Sequence, residues 1–197
     1  MVDYFRQYPE QIWQWTALLL ILAFSIYALF AIKNEKQTYL NNAVAYKIKH
    51  FILSLPNWWG INQHDSDALT ATRVDTHYDW FATFQWTMSN DDPQLQIQKF
   101  CADQGIELDR ETQITHPSLS LTKSFLNLSQ AGDDKRFQFA RVEGTATEKS
   151  EYRIYCDLLI IHDSANNGSL ICYSRSSILN GCVEGPYFEE VISRIKI

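Results

Sequence analysis

The sequence lacks the short motifs that mark the commonest catalytic and nucleotide-binding sites. It contains no G-x-x-x-x-G-K, no G-x-S-x-G and no H-E-x-x-H. Glycine is also scarce, at 7 of 197 residues, which disfavours loops whose backbone cradles a phosphate. We therefore predict no cofactor and no metal, and we assign no catalytic residue. The lack of motifs favours a protein that is not an enzyme, without deciding the question.

The cysteines do not predict a metal site either. The four cysteines form no C-x-x-C pair, and their spacing matches no zinc pattern. Cys182 stands out because the segment ILNGCVEGPY reads as a loop just before a helix, and a helix N-terminus can lower the pKa of a thiol. The two readings of Cys182 are a reactive thiol and an ordinary residue at the start of a helix.

Basic residues are in the minority over most of the chain. Residues 51–197 contain 12 basic and 20 acidic side chains. Nucleic acid binding needs a basic face that displaces counterions. The composition therefore excludes nucleic acid as an expected partner.

One long stretch has no charged residue. Residues 12–32 are apolar on all sides, and a helix of this length is about 31 Å long, which matches the hydrocarbon thickness of a bilayer. A cleaved export signal is the alternative, but its apolar region is about 7–15 residues long and ends at a small-x-small site. We predict an uncleaved transmembrane helix over residues 12–32, preceded by a short tail over residues 1–11.

The residues that flank this stretch suit the two membrane interfaces. Trp13 and Trp15 carry the amphipathic rings found at one interface, and Lys33 and Lys36 close the other end. We therefore predict that the protein is inserted in a lipid bilayer, in a plasma or inner membrane.

The lysines also bear on orientation. Lys33, Lys36, Lys47 and Lys49 follow the apolar stretch, whereas Arg6 precedes it. Cytoplasmic flanks carry the excess of lysine and arginine. This pattern favours a cytoplasmic carboxyl-terminal domain, against the opposing tendency of a short first tail to stay inside.

The residues after the apolar stretch read as a second helix. Apolar side chains recur at three- and four-residue steps as far as Leu55, and Pro56 follows. We predict a juxtamembrane amphipathic helix over residues 33–55 and a single soluble domain over residues 56–197.

The first clear strand of that domain has an aromatic face. Trp80, Phe84 and Trp86 alternate with more polar positions, as in a strand with one apolar face. These rings either fill the core or form a face for a ligand or a partner. Asp92 and Pro93 then suit the N-cap and first turn of a helix that Gly105 ends.

The carboxyl-terminal part reads as three antiparallel strands and a helix. The strands are predicted over residues 137–144, 152–161 and 170–175, with a type I′ turn at Asn167-Gly168, and the second strand is apolar enough to be central. The helix is predicted to begin at Gly185-Pro186. The predicted fold class is α+β, an antiparallel sheet packed by helices behind a single N-terminal transmembrane helix.

These patterns lead to two functional hypotheses. The first is a single-pass membrane protein whose soluble domain mediates protein-protein interaction at the membrane, as a subunit, assembly factor or adaptor, with other membrane proteins as partners. The alternative is a membrane-tethered domain that binds or senses a small ligand through the aromatic face.

Overall fold

The chain divides into two compact units in a computed structural model that describes residues 9–73, 79–115 and 136–197. The first unit, Met1–Ala43, contains helix α1 (Pro9–Asn42). In the described residues of the second unit, Val44–Ile197, lie ten strands and two further helices.

Helix α1 is continuous over 34 residues. Its interior has no glycine and no proline after Pro9, so nothing in the sequence interrupts its hydrogen-bond ladder. The predicted tail over residues 1–11 overlaps it, because residues 9–11 are already helical, and residues 1–8 lie outside the described residues.

The predicted helix over residues 33–55 is wrong beyond Asn42. Strands β1 (Val44–Ile48) and β2 (Phe51–Leu55) form an antiparallel hairpin there, with Lys49 in the left-handed region at its turn. The buried side chains of β2 alternate along the strand, which is the period of an extended chain. Short apolar runs can satisfy either period, and here long-range packing selects the strand.

The main sheet has eight strands and is antiparallel throughout. Its continuous order is β3-β4-β5-β10-β9-β8-β6, and β7 also pairs with β8. The strands are β3 (Trp59–Asp65), β4 (Ala68–Arg73), β5 (Trp80–Met88), β6 (Ile106–Leu108), β7 (Ile114–Thr115), β8 (Phe137–Glu148), β9 (Tyr152–Asp163) and β10 (Gly168–Ser177).

The predicted meander is confirmed as β8, β9 and β10, with β9 in the centre. Its turn differs from the prediction. Gly168 already belongs to β10, where it pairs with Asp163 of β9. The residue in the left-handed conformation is Asn167, at a φ of 47°. Glycine is required at position 168 by packing, because a Cβ there would lie 2.3 Å from the Trp86 ring.

One face of the sheet is covered by α2 (Pro93–Gln104). Its predicted boundaries are confirmed: the Asp92 side chain caps the Gln94 N–H, and Gly105 ends the helix at a φ of 66°. Ile97 and Cys101 pack on alternate residues of β9, from Ile154 to Ile160. These contacts form one apolar layer of the core.

The opposite face is covered by α3 (Ile178–Ser193), which contacts β9, β10, β5 and the hairpin strand β2. The predicted start of this helix at Gly185-Pro186 is wrong, because Pro186 lies inside it. Phe188, Val191, Ile192 and Ile195 are fully or almost fully buried. The predicted class is confirmed in its coarser form, an α+β fold with an antiparallel sheet and helices packed on it.

Candidate functional site

The apolar surface of α1 is the first candidate site. Its described side chains from Trp13 to Ile32 are exposed or nearly so, and no part of its most apolar window is buried. A core helix of a water-soluble domain would bury at least one face of such a stretch. By length and composition, this helix can cross a membrane.

The four predicted interface residues all lie on α1. Trp13 and Trp15 are 77% and 63% exposed, and Lys33 and Lys36 are also exposed. Because α1 is continuous, Trp13 and Lys33 are about 30 Å apart along its axis, close to the thickness of the hydrocarbon core. This spacing suits two opposite membrane interfaces.

The aromatic face of β5 lies in the core. Trp80, Phe84 and Trp86 are all buried. Trp80 donates a 2.9 Å hydrogen bond to Ser174, and the Phe84 ring lies 5.7 Å from that of Phe188 on α3. A ligand or partner would reach these rings only after the covering elements moved, which contradicts the idea of an open aromatic face.

Cys182 lies within α3 and not in a loop. The helix begins at Ile178, after Ser177 as its N-cap, so the predicted position of Cys182 at a helix N-terminus is wrong.

The other three cysteines are buried and free. Burial raises the pKa of Cys101 to about 11 and that of Cys156 to about 12, and it raises that of Cys172 as well. A thiol with a raised pKa is a poor nucleophile at neutral pH. These cysteines therefore act as small core residues.

A cluster around Asp163, at the end of β9, forms the first polar site. Arg136 donates to both carboxylate oxygens at 2.9 Å, Asn166 Nδ2 donates at 2.7 Å and the Ala165 N–H at 3.0 Å. His50, from the β1–β2 turn, places Nε2 at 2.9 Å from Oδ2, a close polar contact without hydrogen-bond alignment. The fully buried carboxylate thus joins the hairpin, β8 and the β9–β10 loop.

The electrostatics of this cluster favour an ionised aspartate. Burial raises the pKa of Asp163, but the bonds from Arg136, Asn166 and Ala165 outweigh it and hold the pKa at about 2. The pKa of His50 is lowered, chiefly by burial, against the pull of Asp163. His162, which precedes Asp163 in the sequence, contacts Ser169.

A second polar cluster lies between the sheet and α3. Arg141 donates to both oxygens of the buried Asp157 at 2.9 and 2.7 Å. The same guanidinium lies 2.8 Å from Glu143 and 3.8 Å from Glu189 on α3. Tyr155 donates its hydroxyl hydrogen to Glu143. We call these five residues the Arg141 cluster.

One cation in this cluster faces three carboxylates. Burial is the main reason that the pKa of Asp157 is raised to about 6; the bonds from Arg141 oppose this, and Glu143 and Glu189 reinforce it. Burial, followed by the bond to Glu143, raises the pKa of Tyr155 above its usual range. The cluster can therefore take up or release a proton near neutral pH.

A third buried contact joins α3 to the edge of the sheet. Glu184 is fully buried and accepts hydrogen bonds from Trp59 Nε1, at 2.9 Å, and from Arg73. Burial raises the pKa of Glu184, while Trp59 and Arg73 pull it down. The contact fixes α3 over β3 and β4.

Residues 9–73, 79–115 and 136–197 contain no group of three or more histidine, cysteine or acidic residues that could hold a metal. His50 and Asp163 resemble the base and orienting acid of a catalytic site, but they were missed in the sequence because 113 positions separate them.

Comparison with known proteins finds a likeness to solved structures alone. No protein-family model matches the chain, and no curated protein matches it in sequence. The solved structure of the Saccharomyces cerevisiae Ran-binding protein Mog1p is similar to it, with a TM-score of 0.49 and 7% identity, over 79% of this chain and 95% of that chain.

Proposed function

We propose that this chain is a single-pass membrane protein whose α+β domain binds other proteins at the membrane, as a subunit, assembly factor or adaptor. The observation that carries the proposal is the exposure of α1: a helix with an apolar surface on every side and no buried part in its most apolar window. Such a surface is costly in water, at about 25 cal/mol per Å² of apolar area, and lipid removes that cost.

The details of α1 favour a permanent anchor over a removable signal. The uncharged run over residues 12–32 is longer than a signal's apolar region, and the helix continues without a break to Asn42. Lysines follow the run, and they support a cytoplasmic position for the domain in a plasma or inner membrane.

The outer face of α3 supports the interaction with proteins. Leu179 and Val183 lie one turn apart on this helix and are 83% and 40% exposed. Exposed apolar side chains that adjoin one another mark interaction surfaces more often than scattered ones do. We place the interface on this strip.

Fractionation of cells that express the full-length chain tests the anchor. We expect the protein in the membrane fraction after an alkaline carbonate wash, with an intact mass that includes residues 12–32. Protease treatment of vesicles of known sidedness then reports where the domain lies. A protein that stays in the supernatant without detergent, or that lacks these residues, contradicts the anchor.

Crosslinking in intact membranes tests the interface. Replacing Leu179 and Val183 together by serine is expected to remove the crosslinked species, because the apolar contact area is lost. Met88→Ser is the matched control, since Met88 is a 73% exposed apolar residue that lies on a different element, at the end of β5. Equal crosslinking of both variants and the parent chain contradicts this interface while leaving the anchor intact.

A further inference from the structure

The Arg141 cluster carries more negative than positive charge. When all of its carboxyl groups are ionised, Asp157, Glu143 and Glu189 share the single guanidinium of Arg141. Of the groups that face Asp157, Arg141 and Glu143 come from β8, Glu189 from α3, Tyr155 from β9 and Cys172 from β10. One added proton brings the cluster closer to neutrality.

Helix α3 depends on its contacts with the sheet. Its first half contains Gly181 and Gly185, and Pro186 follows, and these two residue types have the lowest helix propensities. A Cβ at Gly181 would lie 2.7 Å from the Tyr155 ring, so glycine allows the helix to rest directly on a member of the Arg141 cluster. The first half of α3 is thus held by packing and polar contacts and not by its own sequence.

The two observations meet at Glu189. This residue is the only member of the cluster on α3, and its 3.8 Å contact with Arg141 is the longest that the guanidinium makes there. When Asp157 and Glu143 are both ionised, they compete with Glu189 for the same cation. When Asp157 is neutral, the cation is freer to hold α3.

We propose that the Arg141 cluster is a proton-controlled latch between the sheet and α3. With a proton bound, α3 stays on the sheet; when the proton leaves, the contact between Arg141 and Glu189 weakens and α3 opens more often. The direction follows from linkage: the pKa of Asp157 is raised in the closed state, so the closed state is favoured at low pH and loses stability as the pH rises through about 6.

Amide hydrogen exchange of the full-length protein in detergent micelles tests the latch. Protection of the amides in residues 178–187, corrected for intrinsic exchange, is expected to fall about tenfold between about pH 5 and about pH 8. The same residues in Asp157→Asn are expected to change less than about threefold, because asparagine mimics the protonated acid without titrating. The remaining change is that of Glu184 on the same helix, since burial raises its pKa as well.

Asp163→Asn is the matched control, since Asp163 lies on the same strand outside the cluster, and this variant should keep the wild-type fall. Glu143→Gln, at a partly exposed position, provides a second variant and should reduce the fall to less than about threefold. Equal protection of wild-type α3 at both pH values overturns the latch. So does a full tenfold fall in whichever of Asp157→Asn and Glu143→Gln is folded.

Discussion

Asp157 and Asp163 lie six residues apart on β9, on the same face of the sheet, and both are buried. Each accepts two hydrogen bonds from an arginine, at 2.7 to 2.9 Å. Nevertheless, the pKa of Asp163 is lowered to about 2 and that of Asp157 is raised to about 6.

The difference comes from the other groups that share each arginine. Arg136 binds the Asp163 carboxylate, which also receives bonds from Asn166 and from the backbone of Ala165. Arg141 serves Asp157 together with Glu143 and Glu189. One site has donors in excess and the other has carboxylates in excess.

The comparison shows that a bidentate ion pair does not by itself fix the charge state of a buried acid. Desolvation opposes ionisation at both positions, and the balance depends on how many donors remain to offset it. The Asp163 cluster therefore acts as a fixed structural joint, whereas the Arg141 cluster is poised to exchange a proton.

The largest expected effect comes from removing each arginine in turn. Arg141→Met leaves three carboxylates without a cation and should lower the free energy of unfolding by about 3–5 kcal/mol. Arg136→Met leaves Asp163 with three polar neighbours and should cost about 1–2 kcal/mol. Urea unfolding of both variants in micelles, followed by tryptophan fluorescence, measures the difference. Equal losses in the free energy of unfolding would show that the additional carboxylates around Arg141 do not affect stability.

Replacing Asp163 should have the next largest effect. Asp163→Asn removes the charge that Arg136 and Asn166 hold, and we expect a loss of about 2 kcal/mol at neutral pH. The loss should shrink as the pH falls below about 4, because the stabilisation by Asp163 is present above its unfolded pKa and disappears as the folded pKa is approached. Unfolding at several acidic pH values measures this convergence, and a pH-independent loss contradicts it.

Much of the fold could be predicted from local patterns. The caps at Asp92 and Gly105 depend on neighbouring residues alone, and the apolar character of β9 was enough to place it between two other strands, inside the sheet. The long helix α1 is similarly marked by an uncharged run that no other element resembles. Each of these signals is contained within a few turns of chain.

The polar clusters could not be predicted in this way. Asp163 meets His50 across 113 positions, and Arg141 meets Glu189 only because α3 folds back onto the sheet. The hairpin β1–β2 was missed for a related reason, since its short apolar runs fit a helix until burial against the sheet selects an alternating pattern. Contacts of this kind depend on the tertiary fold.

The pH dependence of stability sharpens the comparison further. Asp157 should contribute a loss of about 2 kcal/mol as the pH rises from about 4 to about 7, because its raised pKa favours the folded state only while the acid is protonated. His50 acts in the opposite direction over part of this range, since its pKa is lowered in the folded state. Subtracting the curve of Asp157→Asn from that of the wild type isolates the aspartate, and a flat difference curve rules out its titration.

The smallest expected effect is that of Asp157→Asn at neutral pH. The variant loses charge-assisted bonds to Arg141 but also loses a buried negative charge in a cluster that has too many, and the two changes nearly offset each other. We expect its free energy of unfolding near pH 7 to lie within about 1 kcal/mol of the wild type, against the loss of about 2 kcal/mol for Asp163→Asn. Two isosteric substitutions on one strand would then differ in their effect on the free energy of unfolding only because their surroundings differ. A loss for Asp157→Asn as large as that for Asp163→Asn would mean that Asp157 is fully ionised at neutral pH and that the two sites are alike.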